Sequence, residues 1–220
     1  MLPLRRTLLG ALVVLAVTGI AQTAVLAALG VDPEAPARSD AMAFAAAMIV
    51  ASTAGALTLL LVLRREPLLA VLAVQPTPPG TTAAWVLAAA ACAELLDRAT
   101  LATGGDVVPL EWRTAYAAAG SPGLLIAALV VSAPLFEEAY FRGFLHGGLA
   151  ATRLGERGAA AVVALLFTAA HGPADVHAVV QGLTYSALLG AARLHSGSIV
   201  PSILVHMLLN GRVLVILAEG

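Results

Sequence analysis

Pro134-Leu-Phe-Glu137-Glu138-Ala-Tyr-Phe-Arg142 places three ionisable side chains in a run that is apolar on both sides. Putting an Asp, Lys or Arg at the centre of a membrane helix costs about 2.5–3.5 kcal/mol. Two adjacent glutamates in such a run therefore serve something that apolar packing does not supply. Glu138 and Arg142 lie four residues apart, on one helix face, and can form an ion pair. Glu137 is turned away by about 100° and is left to face another helix.

The surroundings decide the fold class. The chain of 220 residues is 60% hydrophobic and only 11% charged, with a mean hydropathy of +0.93. A soluble domain carries about 25% charged residues. The composition thus indicates an all-α, polytopic membrane protein forming one domain over 1–220. The net charge of −1 implies no nucleic-acid partner. The single cysteine, Cys92, excludes an intramolecular disulfide and a cysteine-based zinc site, and reads as a small packing residue.

Upstream of the quoted stretch, Arg5 and Arg6 precede an apolar run from Leu8 to Leu29, enough to span hydrocarbon. A cleaved signal peptide competes for that run, but its length and the further spans favour a retained helix. After an acidic, proline-bearing connection from Asp32 to Asp40, a second run extends from Ala41 to Leu63 and stops at Arg64-Arg65. The two arginine pairs place the N-terminus and the end of this hairpin in the cytoplasm. Leu68 to Val74 is too short to span and reads as interfacial; with the hairpin it makes up an N-terminal part, 1–80. Thr81 to Thr103 is a third span containing Glu94, Asp97 and Arg98, which can pair locally. A polar connection from Gly104 to Gly120 carries Trp112 and Tyr116, aromatics suited to headgroup level.

The quoted stretch belongs to a fourth helix, Pro122 to Ala150, about 40 Å long. Downstream, spans are expected from Gly158 to His171, Asp175 to Leu194 and Ser198 to Ala218, giving about seven helices in all and a core over 120–218. These later helices supply polar residues of their own. His171 ends Phe167-Thr-Ala-Ala-His171, and His206 and Asn210 share a face in His206-Met-Leu-Leu-Asn210. Singly, each reads as interhelical hydrogen bonding.

In order and spacing, Glu137-Glu138-x-x-x-Arg142, Phe167-x-x-x-His171 and His206-x-x-x-Asn210 resemble the three signature motifs of the CAAX-processing and bacteriocin-immunity intramembrane protease family. That family includes the Rce-type prenyl-protein endopeptidases. The resemblance covers Gly120 to the C-terminus. It implies an intramembrane endopeptidase with Glu137 and His171 as the catalytic pair, His206 and Asn210 as an oxyanion hole, and Glu138 and Arg142 in support. Myxosortase-like bacterial relatives imply removal of C-terminal sorting tails from surface proteins; the prenyl-type relatives imply CAAX processing.

The residue types support this chemistry independently. Peptide hydrolysis needs an activated water, a proton carrier and stabilisation of an oxyanion. A carboxyl group in low-dielectric surroundings holds a proton more readily, so a buried glutamate can serve as base and then acid. Glu137, His171 and His206 could instead hold zinc as a His₂Glu set, although the His-Glu-x-x-His pattern is absent. The reading without a cofactor is preferred here. Its partners are a membrane-anchored protein substrate and the bilayer, and its expected location is a bacterial cell membrane.

Other polar residues are less informative. His177, Gln181 and Tyr185 fall at four-residue steps and either line a groove or join helices. His146 and His195 lie near span ends and read as interfacial. Ser202, one turn before His206, lacks a triad around it. Two other function classes fit the composition: a non-enzymatic immunity-type membrane protein, and a small transporter relaying protons through Glu137 and His171. The missing inverted repeat weighs against the transporter.

Overall fold

A computed structural model describes residues 2–31, 41–108, 113, 116–117, 122–173 and 175–219. The expected connection over 32–40 and Trp112 lie outside these residues. The described chain is helical: α1 (Leu4–Ala28), α2 (Ala41–Leu63), a one-turn α3 (Leu68–Val71), α4 (Pro79–Ala102), α5 (Gly123–Ala150), α6 (Gly155–Ala170), α7 (Val176–Ser196) and α8 (Ile199–Glu219). Five of these, α1, α2, α4, α5 and α8, are long and apolar enough to cross a membrane. The protein is an integral membrane protein. The other two expected spans form helices where the sequence places them, but neither meets that measure. With 16 residues, α6 is about 24 Å long, short of a hydrocarbon core of about 30 Å. The 21 residues of α7 carry His177, Gln181, Arg193 and His195.

Lipid-facing and inward-facing sides differ as a membrane requires. Leu12, Ile20, Leu61, Leu87 and Leu95 are exposed, whereas the inner side of α2 is a column of small residues, Ala43, Ala47, Ala51 and Gly55 among them. Small residues let helix backbones approach closely where lipid supplies no hydrophobic drive.

At the centre runs α5, the most buried of the five spans. It lies antiparallel to α1, and contacts fix its height. A Cβ on Gly148 would strike Thr7 near the start of α1, and the Tyr140 hydroxyl donates to the Ala11 carbonyl at 3.1 Å. Near mid-membrane, a Cβ on Gly55 would collide with the Phe136 ring and the Thr18 hydroxyl. Phe136 is thereby held between α1 and α2, and it immediately precedes Glu137.

Two widened, π-helical stretches, Ile126–Ser132 and Ala139–Leu145, flank the glutamates. Pro134 has a local part in the first. Ala133 donates to the carbonyl five residues back, Ala128. In that register the donor for the Leu129 carbonyl would be Pro134, which has no N–H. Widened turns of this kind concentrate at functional sites.

The short segment after the hairpin packs in part against the bundle. Leu72 and Ala73 are buried. The Ile199 N–H donates to the Ala73 carbonyl at 3.0 Å, and the Ser198 hydroxyl donates to the Gln75 carbonyl at 2.8 Å. The start of α8 is therefore tied to the segment between α2 and α4.

Candidate active site

Glu138 is fully buried, and one of its oxygens gathers two donors. Its Oε1 accepts from Arg142 Nη1 at 3.0 Å and from His206 Nδ1 at 2.9 Å. The ion pair expected from the four-residue spacing is present, with side-chain exposures of 1% and 0%. A pair so deeply buried depends on further hydrogen bonds; among the described residues Arg142 Nε and Glu138 Oε2 have no partner, while Nη2 is satisfied. Arg142 Nη2 donates to the Ser186 hydroxyl at 2.5 Å and to the Ser186 carbonyl at 3.3 Å. The guanidinium carbon also lies 4.2 Å from the centre of the Phe167 ring, a cation–π contact. Ser186 is the residue that sequence reading missed. The signal for it was indirect: a guanidinium has five N–H groups, and one carboxylate cannot take them all.

Glu137 is set apart, as the helical offset requires. Its Oε2 lies 3.8 Å from His171 Nε2 and 3.8 Å from His206 Nε2. Both distances are too long for a direct hydrogen bond. This oxygen is buried and, among the described residues, has no hydrogen-bonding partner.

The two rings have defined orientations. His171 Nδ1 is 2.8 Å from the Phe167 carbonyl, one turn back on α6. A carbonyl only accepts, so Nδ1 carries the proton. His206 Nδ1 carries one for the same reason, if Glu138 is ionised against Arg142. In their neutral forms both rings therefore present an Nε2 lone pair toward Glu137. Three acceptor atoms converge with no donor between them. Phe167, the first residue of the second motif, packs 4.3 Å from the His171 ring and 5.7 Å from the His206 ring, centre to centre.

Asn210 projects from α8 one turn beyond His206. Its amide nitrogen donates to the Leu129 carbonyl at 2.7 Å, the carbonyl that Pro134 leaves without a backbone donor. One amide hydrogen is committed there, and the second is not required by that bond.

The remaining polar residues sort by contact. His146, near the end of α5, is buried against protein. Its Nε2 bonds the Glu156 carbonyl at 3.1 Å, joining the end of α5 to the start of α6. His195 is exposed, edge-on to Trp85. His177 Nε2 meets the Thr103 hydroxyl at 3.0 Å, so it joins helices. Ser202 donates to the Leu189 carbonyl at 2.9 Å and is committed to α7. Arg98 pairs with Glu94 at 2.8 Å as its spacing predicts, whereas Asp97 turns to Arg212 on α8, which also holds Glu94 at 2.8 Å.

Glu137, Glu138, Arg142, His171 and His206 come together inside the helical bundle of an integral membrane protein. The model of a protein family described as "Type II CAAX prenyl endopeptidase Rce1-like" matches residues 119–212. That segment runs from just before α5 into α8 and contains all three motifs, so the resemblance read from their order and spacing is borne out there. No curated protein and no solved structure matches the chain.

Proposed function

We propose that the protein is an intramembrane endopeptidase of the CAAX-protease type, working through Glu137 and His171. The family match over 119–212 supports a CAAX-type intramembrane protease in general. The observation that carries the mechanism is the convergence of His171 Nε2 and His206 Nε2 on Glu137 Oε2, each at 3.8 Å. Groups this far apart can share a water molecule, which donates its two hydrogens to two of the three acceptors.

Glu137 takes a proton from that water as its oxygen bonds to the scissile carbonyl carbon. The C–N bond then breaks, and the proton held by Glu137 passes to the departing amine. His171 orients the water through its Nε2 lone pair, fixed by the Nδ1 bond to Phe167. A donor role for His206 toward the oxyanion requires a second proton on its ring. Glu138 Oε1, 2.9 Å from Nδ1, fixes the orientation of the ring. The second amide hydrogen of Asn210 is the other donor of the oxyanion hole.

A zinc ion would need the same three groups as ligands. As placed, their 3.8 Å separations exceed the about 3.3 Å between neighbouring donors of a tetrahedral zinc. Among the described residues, no group of three His, Cys, Asp or Glu is gathered to hold a metal ion. No step is therefore routed through a metal.

The test is C-terminal proteomics of cells carrying the wild-type protein, Glu137→Ala or His171→Ala. Both variants should insert normally and accumulate membrane-anchored proteins that keep a segment the wild type removes. Full processing by both variants would sink the assignment.

A further inference from the structure

We propose that the peptide reaches Glu137 past His171, from the membrane face opposite the paired arginines. Its substrates are then segments displayed on the extracytoplasmic side of the membrane and not prenylated tails in the cytoplasm. This inference rests on the peptidase reading above and adds the direction of access and the substrate class.

The first observation is a gradient of burial across the site. The His171 side chain is 50% exposed, Glu137 16% and His206 6%, while Glu138 and Arg142 are at 0% and 1%. The site is closed along α5 toward its C-terminal end, where Tyr140, Phe141, Phe144 and His146 are all buried. Among the described residues of the site, exposure is greatest at the end of α6, at His171.

The second observation concerns what His171 is exposed to. With 16 residues, α6 rises about 24 Å from Gly155 and stops short of a full hydrocarbon crossing. The chain then leaves helical geometry through His171, Gly172 at φ +56° and Pro173 before Asp175 caps α7 by accepting from the Ala178 N–H. Irregular backbone at membrane depth is not tolerated against lipid; it must be buried in protein or line water. His171, Gly172 and Asp175 are exposed, so this turn borders water, and the His171 ring separates that water from Glu137, 3.8 Å away.

The third observation assigns the face. Arg6 pairs with Glu66 at 2.7 Å, which brings Arg5-Arg6 and Arg64-Arg65 to one end of the bundle. Thr7 against Gly148 puts the end of α5 there too, and the His146–Glu156 bond adds the start of α6, beside Arg153 and Arg157. The opposite end holds Glu94, Asp97, Asp106, Asp175 and Glu219 together with Arg98, Arg113 and Arg212, so that among the described residues the excess of arginine lies at the first end. Arginines mark the cytoplasmic side of a membrane protein. The turn at His171 therefore faces away from the cytoplasm.

The test is accessibility to 2-sulfonatoethyl methanethiosulfonate, a charged reagent that does not cross membranes. It uses single-cysteine proteins in a Cys92→Ala background, in intact cells and in inverted vesicles. Ala170→Cys and Glu137→Cys should react in intact cells and be spared in inverted vesicles, and Arg153→Cys should do the reverse. Reaction of Glu137→Cys only in inverted vesicles overturns the proposal, as does its failure to react from either side. Ala170→Cys, on an exposed position, keeps the assignment of faces testable if the glutamate variant folds poorly; its labelling from the same side as Arg153→Cys also overturns the proposal. Labelling is independent of catalysis. Processing by Glu137→Ala would refute the peptidase reading while leaving the direction of access standing.

Discussion

His206 Nδ1 and Arg142 Nη1 share one oxygen of Glu138, at 2.9 and 3.0 Å, although the histidine lies on α8 and the arginine on α5. Glu138 is thus the joint between the first and third motifs. Removing one member of a buried pair leaves the other uncompensated, at a cost of about 3–5 kcal/mol. Glu138→Ala should markedly lower the thermal midpoint of the detergent-solubilised protein. The double variant Glu138→Leu/Arg142→Met should recover much of that stability and none of the activity. A double variant as unstable as Glu138→Ala would show that the pair acts through more than its charges.

Glu137 differs from Glu138 in that its nearest ionisable partners stand at 3.8 Å, beyond hydrogen-bonding distance. Its Oε2 is buried without a partner, and His171 is half exposed. Glu137→Gln should therefore abolish processing while leaving the thermal midpoint unchanged or raised, the usual mark of a site held for activity at the expense of stability. A large loss of stability in this variant would place Glu137 among the structural residues.

Asn210 and Pro134 are energetically coupled through the Leu129 carbonyl. A fully buried carbonyl left without a donor costs about 1–3 kcal/mol; Asn210→Ala leaves the part-buried Leu129 carbonyl so and should cost toward the lower end. Pro134→Ala supplies the N–H that the widened turn lacks. Thermal denaturation of both single variants and the double should show less than additive destabilisation, because the double restores a donor for Leu129. Strict additivity would refute the coupling.

Gly55 sets the position of Phe136 and, through it, of Glu137. Gly55→Leu overpacks the contact with Phe136 and Thr18, and forced overpacking costs about 1–3 kcal/mol. Processing should fall by more than the loss of folded protein explains, measured as activity per correctly folded molecule. Gly19→Leu, where a Cβ meets nothing within 4 Å, is the control expected to be silent.

Much of this was legible from residues alone, for reasons that differ by residue. The Glu138–Arg142 pair followed from helical geometry, because both partners lie on one helix. The C-terminal end of α2 at Leu63 was legible, since an apolar run that stops at an arginine pair has a sharp end. The positions of α6 and α7 were legible, but not that they fall short of the length and hydropathy of a span. Periodicity reports which residues face inward and says little about depth in the bilayer. The bond from His206 to Glu138 was not legible, because spacing within α8 carries no information about which neighbour it meets on α5. Nor was the Asn210–Leu129 bond, which depends on a backbone register that Pro134 alters locally.

The bridge between Glu138 and Arg142 has a consequence for how the protein comes into being. Because both charges belong to α5, this helix can enter the bilayer during synthesis with them already neutralised against each other. It does not have to wait for α8. His206 emerges only after α6 and α7 have been made, and it then displaces nothing: it adds a second donor to an oxygen already oriented by Arg142. The cluster is assembled by accretion around a self-sufficient helix, so the charges of α5 need not make it hard to insert.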